Sequence, residues 1–411
     1  MKSTDHFKFV CCKRLIFLSA CSLFGFCSDA RAELRAWSGS AELSTVGSPE
    51  DSVLWNFRPG LGLKWEPSFS LLPHWSLGLE GRIRADSQSE FAASGRQFDA
   101  RVDRAVLQWI GSEASLSAGW QKFTWGDSAF LDGVDVLNAR DLTEPVYTDD
   151  ELLKIAVPSV SLQYLAGNTV FQAVMIVQPG RSPVPTEAAG VNVNAPEPLR
   201  PGDVYEFGLK AGGLLRNGWD INGYLASHLE RIPQAVLVQD PLGLSVRLFE
   251  PRVFTLGVTA TQSAGDVVVR SEMAFHFNRA LPEFGLAQEA TANQMVGHVT
   301  ADVTLFSDLI LTGELWAERW SEASSDSFKN TSSLLGARLQ KSLWSQRVDA
   351  SLGFLTSASA NEDLLSARFT WKFLDAWQWN LDAYRVQTSK GHALARRQLK
   401  NLITSTLKFQ F

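Results

Sequence analysis
The segment that ends this chain, Leu402-Ile403-Thr404-Ser405-Thr406-Leu407-Lys408-Phe409-Gln410-Phe411, alternates residue by residue. Leu407, Phe409 and Phe411 are apolar, and Thr404, Thr406, Lys408 and Gln410 are polar. Period two puts the two sets on opposite sides of a strand, one greasy and one wet. A strand of this kind cannot stand alone. Its apolar side must meet either a core or lipid.

The same pattern recurs along the chain. Strands are predicted over 34–45, 52–65, 74–87, 96–110, 114–126, 158–166, 169–179, 203–212, 219–231, 251–262, 266–279, 292–306, 308–321, 331–344, 347–357, 363–374, 376–388 and 397–411. Eighteen is the count, with sixteen as the alternative. Each segment is near the ~9–11 residues or more that cross a bilayer at a tilt. The connections alternate between short turns, such as Gly111-Ser112-Glu113 and Trp344-Ser345-Gln346, and long loops over 127–157, 180–202 and 231–250. Sorting of loops by length is expected of an up-and-down barrel whose two rims face different compartments. A soluble sandwich has no reason for it.

The charges decide which face is which. Over 266–279, Val269, Met273, Phe275 and Phe277 oppose Arg270, Glu272, His276 and Asn278. Over 292–306, Met295, Val299 and Val303 oppose Gln294, His298, Thr300 and Asp302. Leu311 and Leu315 oppose Thr312, Glu314 and Glu318, and Phe369 and Trp371 oppose Arg368 and Lys372. A charge on the lipid face costs ~2–4 kcal/mol at the midplane, so the charged face is assigned to the lumen. The fold class expected is therefore all-β, a transmembrane antiparallel up-and-down barrel.

Lys8, Lys13 and Arg14 precede the apolar run Leu15–Phe26, and Ala30-Arg31-Ala32 follows as a small-x-small site. This is the layout of a secretory signal cut after Ala32, so residues 1–32 are set apart and 33–411 are assigned to the barrel. Leu18-Ser19-Ala20-Cys21 offers a lipoprotein-type alternative. All four cysteines, Cys11, Cys12, Cys21 and Cys27, lie in the leader. The remainder needs no disulfide and has no cysteine-type zinc site. The net charge of −6, with dispersed charges, argues against nucleic acid as a partner.

Three blocks between about 97 and 160 carry a resemblance. They are Arg101-Val102-Asp103-Arg104-Ala105-Val106-Leu107, Gly119-Trp120-Gln121-Lys122-Phe123-Thr124-Trp125-Gly126-Asp127, and Asp135-Val136-Leu137-Asn138-Ala139-Arg140-Asp141-Leu142. This region resembles a family of porin-like Gram-negative outer-membrane barrels of unknown function. It is distantly similar to alginate-export-type porins. Trp120 stands where that family carries arginine, and Ala139 where it carries proline. The resemblance implies an outer-membrane barrel and no particular solute.

The lumen is predicted to be lined by Arg82, Arg84, Arg270, Glu272, His276, Asp302, Glu314, Glu318, Arg338, Arg368, Lys372, Asp382 and Lys408. A basic ladder for anionic solutes and a brace of cross-strand ion pairs both fit such a set. Loop 127–157 carries Asp132, Asp135, Asn138, Arg140 and Asp141. It is read as a constriction folded into the lumen, with an exposed acidic loop as the alternative. No Gly-x-Ser-x-Gly or His-Glu-x-x-His occurs, so no catalytic role, cofactor or metal is expected. The function expected is passive passage or export of small or oligomeric hydrophilic solutes. The rival is an occluded barrel acting through its loops as a structural or surface-interaction protein. The partners expected are outer-membrane lipid and lipopolysaccharide, the barrel-assembly machinery through the strand ending at Phe411, and, for export, an inner-membrane exporter.

Overall fold
The computed structural model describes residues 37–47, 56–65, 74–85, 98–126, 133–141, 153–183, 192–193, 204–240, 243–281, 289–306, 308–321, 330–357, 363–387 and 401–411. The proposed leader with its cleavage residue Ala32, and the loop residue Asp132, lie outside them. So does Lys400.

The strands are β1 (Trp37–Gly47), β2 (Asn56–Trp65), β3 (Trp75–Ala85), β4 (Phe98–Ile110), β5 (Ala114–Gln121), β6 (Val157–Ala166), β7 (Thr169–Ile176), β8 (Asn192–Val193), β9 (Glu206–Leu214), β10 (Trp219–Leu229), β11 (Gln234–Asp240), β12 (Gly243–Phe249), β13 (Arg252–Ala264), β14 (Val267–Ala280), β15 (Thr291–Phe306), β16 (Leu309–Trp320), β17 (Thr331–Leu343), β18 (Val348–Ser357), β19 (Asp363–Leu374), β20 (Trp377–Gln387) and β21 (Leu402–Gln410). All but β8, β11 and β12 form one eighteen-stranded sheet. Each strand pairs antiparallel with the next, and β1 pairs with β21, Ser40 opposite Gln410 through Gly47 opposite Ile403. The sheet is therefore a closed barrel with no free edge. The eighteen strands coincide with the predicted ones, most within two or three residues at each end. The largest differences fall at β5, which stops at Gln121 where the pattern suggested 126, and at β21, which opens at Leu402 where it suggested 397.

The face assignment follows the alternation. On β14, Met273, Phe275 and Phe277 are exposed on the outside while Glu272, Ala274 and His276 are buried inside. Of the four register shifts among the described strands, two bear on the predicted faces. Asp103 is an extra residue between Val102 and Arg104, because Glu80 pairs with Arg104 and Gly81 with Val102. Asp103 and Arg104 both line an interior cavity as a result. Between His276 and Arg279 the register shifts again, with Asn278 at φ 62. Asn278, expected in the lumen, points out, and Arg279 turns inward onto Glu230 (Nε–Oε2 3.0 Å).

The outer wall is closed near the short turns by aromatics on β19–β21. Trp377 and Phe409 lie with ring centroids 4.9 Å apart, and Trp371 and Phe373 5.5 Å apart. Such rings suit the bilayer interface. At the opposite rim the apolar loop 231–250 is a hairpin, β11 with β12. Residues 180–202, expected as a long loop, contribute β8, which pairs parallel with β12. This small sheet is tied down by Arg181 to Glu250 (3.0 Å), and burial raises the Glu250 pKa against the pull of Arg181 and Arg231.

Candidate functional site: the loop inside the barrel
A barrel of this strand number is too wide for its own side chains to fill. Here the chain after β5 supplies part of the filling. Residues 122–126, after the end of β5, and 133–141 lie in the interior, and 153–157 lead back to β6. The two legs are zipped together by Ile155 N–H to Ala139 O (2.8 Å) and Asp141 N–H to Leu153 O (2.9 Å).

The loop is anchored to the wall at three places. Glu272 on β14 accepts the N–H groups of Gly133 and Val134, the latter at 2.8 Å. Arg231, just past β10, donates to Val136 O (2.8 Å), Leu137 O (2.7 Å), Gly180 O (3.2 Å) and the Glu206 carboxylate (2.7 Å). Arg101 on β4 pairs with Asp141, which is fully buried. β4 and β14 are far apart around the ring, so the loop lies across the interior as a chord.

Apolar packing supports the polar anchors. Phe123, Trp125, Val134, Val136 and Leu137 form one buried cluster with Val174, Ile176, Tyr224, Ala226 and Ala274 of the wall. Two glycines make the approach possible. A Cβ on Gly208 would lie 2.5 Å from the Trp125 ring, and one on Gly257 would lie 2.3 Å from Val134 Cγ1. Gly208→Leu is therefore expected to push the loop off the wall while the outer strands still pair, since overpacking costs ~1–3 kcal/mol. Faster proteolytic cleavage within 122–157 of the folded barrel checks this, and wild-type protection would contradict it.

The predicted loop residues are brought together, but by one another. Asp135 Oδ2 meets Lys154 Nζ (2.7 Å) and Arg140 Nη2 (3.3 Å). Asn138 Oδ1 accepts Phe123 N–H (2.7 Å), and its amide donates to Ile155 O (2.8 Å). Lys154 is only 1% exposed and also donates to Thr124 Oγ1 (2.9 Å). Asp135 and Asn138 thus shape the loop from within, while the Asp141 carboxylate ties it to Arg101 of the wall. Sequence reading missed Trp125, Lys154, Arg231 and the two glycines; the tryptophan and Arg101 sat inside the blocks that carried the resemblance.

The predicted lumen residues face inward, on the other part of the wall. Arg270 pairs with Asp302, which also accepts Thr312 Oγ1 (2.6 Å). Arg368 meets Asp382 (2.9 Å), and Arg82 meets Asp103 (3.3 Å). Glu318 accepts from Gln294 (2.7 Å) and Ser332 (2.7 Å). Register places Glu314 opposite Thr300 and Arg338 opposite Thr312, Arg84 opposite Gly60, Lys372 four residues after Arg368 on the same face, and Lys408 opposite Glu42. Three inward side chains sit away from this charged wall. Glu272 holds the loop, and His276 Nδ1 and His228 Nε2 both meet Thr255 Oγ1 at 2.9 Å.

The two parts of the wall differ in chemistry. Beneath the loop, the inward residues include Ser159, Ser161, Val174, Gly208, Ala226, Gly257 and Ala274, small or uncharged, with Glu206 and Glu272 engaged in holding the loop and Lys210 over the Tyr224 ring. From β17 through β21 and β1 to β4 they include Arg338, Arg368, Lys372, Lys408, Arg58, Lys64, Arg82, Arg84, Arg101 and Arg104, against Asp349, Asp382, Glu42, Glu80, Asp99 and Asp103. Between the loop and the short turns lies a cavity of about 450 Å³, lined among others by Arg104, Lys122, Gln108, Gln121, Gln163 and Gln172.

No family model matches this chain, and no curated protein matches its sequence. Solved structures do share its fold. OccD3 (OpdP) of Pseudomonas aeruginosa is 10% identical over 93% of this chain and 93% of its own, with a TM-score of 0.56. OccAB1 of Acinetobacter baumannii is 9% identical over 91% and 95%, with a TM-score of 0.56. OccK2 (OpdF) of Pseudomonas aeruginosa, solved in complex with glucuronate, is 9% identical over 92% and 97%, with a TM-score of 0.53. At these identities the likeness establishes the fold, a closed outer-membrane-type β-barrel.

Proposed function
We propose that this protein is a passive channel in the outer membrane of a Gram-negative bacterium, passing small hydrophilic solutes with a preference for anions. The observation that carries the reading is the division of the inner wall. The loop covers a part whose acids, Glu206 and Glu272, are engaged in holding it, and the base-rich part faces the space that remains. The basic residues run the height of the wall, from Arg58 and Arg84 near the long-loop rim to Lys64, Lys372 and Lys408 near the short turns. A charged constriction selects by opposing or replacing a solute's hydration. The amides of Gln108, Gln121, Gln163 and Gln172 beside Arg104 and Lys122 add donors and acceptors suited to a hydroxylated carboxylate. No chemical step is part of this reading.

The loop belongs to the same proposal. It narrows the passage by its backbone and apolar bulk, and its buried acids fix its position. The leader, the lipopolysaccharide contact and delivery by the assembly machinery through the β21 strand belong to the reading as well. Passive passage needs no exporter, though an export conduit would.

Reversal potentials in a potassium chloride gradient across a planar bilayer test the anion preference. The reading expects chloride to be favoured and glucuronate to interrupt the current more than glucose does. A cation preference, or equal block by both sugars, would remove the basic wall as the selector.

A further inference from the structure
The outer wall carries a feature the channel reading does not use. An apolar groove of about 410 Å³ runs over β17–β20 on the lipid-facing side. Its floor is Ala350, Ala367 and Ala383, and its sides are Leu339, Leu352, Phe369 and Leu381. The register explains the shape. Leu352 pairs with Ala367 and Ala367 with Ala383 in one row, and Lys341 with Ala350, Ala350 with Phe369 and Phe369 with Leu381 in the next. Ala350, Ala367 and Ala383 thus fall on three successive strands, β18, β19 and β20, leaving a hollow bordered by the larger Leu339, Leu352, Phe369 and Leu381.

Lys341 lines the same groove. Alternation along β17 puts it on the outer face with Leu339 and Leu343, opposite Leu309 of β16. Among the described strands the outer face carries few charges. Arg252, Arg319, Asp363 and Arg385 lie within a few residues of the long-loop rim. Lys341 alone lies toward the short-turn rim, three residues before the turn at Trp344, whose side chain is 72% exposed. A lysine there keeps its stem along apolar wall and its ammonium at headgroup depth. An empty groove in hydrocarbon forfeits dispersion contacts, so a flexible chain is drawn into it.

We propose that this groove is a binding site for an anionic phospholipid of the short-turn leaflet, one acyl chain on the alanine floor and the phosphate at Lys341. The occupant follows from charge complementarity and depth. A positive group at the headgroup level stands at one end of an apolar slot in a wall bathed in lipid. Its volume falls in the range of small-ligand sites.

The test uses detergent-purified, folded protein incubated with dioleoyl phosphatidylglycerol and read by native mass spectrometry. Retention of the lipid is expected to fall severalfold in Lys341→Gln and in Ala383→Leu, which fills the floor. Arg319→Gln, at the other rim, is expected to match wild type. All three outward-facing variants are checked for folding by heat-modifiable migration. Equal retention by wild type, Lys341→Gln and Ala383→Leu would overturn the site. So would loss of an oligomer in Ala383→Leu with lipid retention unchanged, which would give the groove to a second copy of the chain.

Discussion

Replacing Arg231 by alanine is expected to release the loop from the wall and raise single-channel conductance severalfold, with selectivity falling as the passage widens. The side chain is 7% exposed and holds two loop carbonyls, the Gly180 carbonyl and Glu206 at once. Its removal also strands the buried Glu206 carboxylate, whose remaining partner is Leu229 N–H (2.7 Å). Breaking a buried pair costs ~3–5 kcal/mol. If most of that falls on docking, the docked-to-undocked ratio drops by about two to three powers of ten. Arg231→Lys should rescue little, because one ammonium cannot reach two carbonyls and a carboxylate in a fork. Glu272→Ala should act in the same direction through Gly133 and Val134. Wild-type conductance in both Arg231→Ala and Glu272→Ala, with the barrel folded, would mean that the loop does not limit the passage.

Reversing charge on the base-rich wall should reverse ion preference without moving the loop. Arg84→Glu with Lys372→Glu alters two residues near opposite rims of that wall. A unit charge at ~4 Å in water is worth ~1 kcal/mol, so the exchange should shift the anion-to-cation permeability ratio on the order of tenfold. High salt should shrink the effect, since lumen charges in contact with water are screened over ~10 Å at 0.1 M. A permeability ratio unmoved by the double variant would place the selector elsewhere.

Much of this architecture was legible because lipid and water impose a strict period of two on every strand. A single misplaced charge on β14, β15 or β16 would cost too much to be common, so the lumen faces could be read from Arg270, Glu272, Asp302 and Glu314 alone. Parity failed where a bulge intervened. Asn278 kept its place in the alternation and still turned outward, because one extra residue between His276 and Arg279 resets the face. The bulge at Asp103 did the opposite and put two neighbouring charges inside.

The loop was legible as a long, charged segment, but its seat was not. Docking depends on the space over Gly208 and Gly257 and on the reach of Arg231, which is some ninety-five residues from the carbonyls it holds. No local pattern encodes that. The acids of 127–157 looked like a selectivity ring, and Asp135 and Asp141 are spent on Lys154, Arg140 and Arg101. Trp120 and Trp125 show the same limit. Both fit a strand of 114–126, yet β5 ends at Gln121, so Trp120 stays on the outer face and Trp125 enters the buried cluster under the loop.

Single-channel recording of the refolded wild-type barrel in a planar bilayer tests the central claim most directly. The account predicts a steady, small conductance, anion-preferring and without large voltage-driven closure. Absence of conductance from protein whose heat-modifiable migration shows a closed barrel would contradict it. The lumen would then be occluded, and the function would belong to the loops at the long-loop rim.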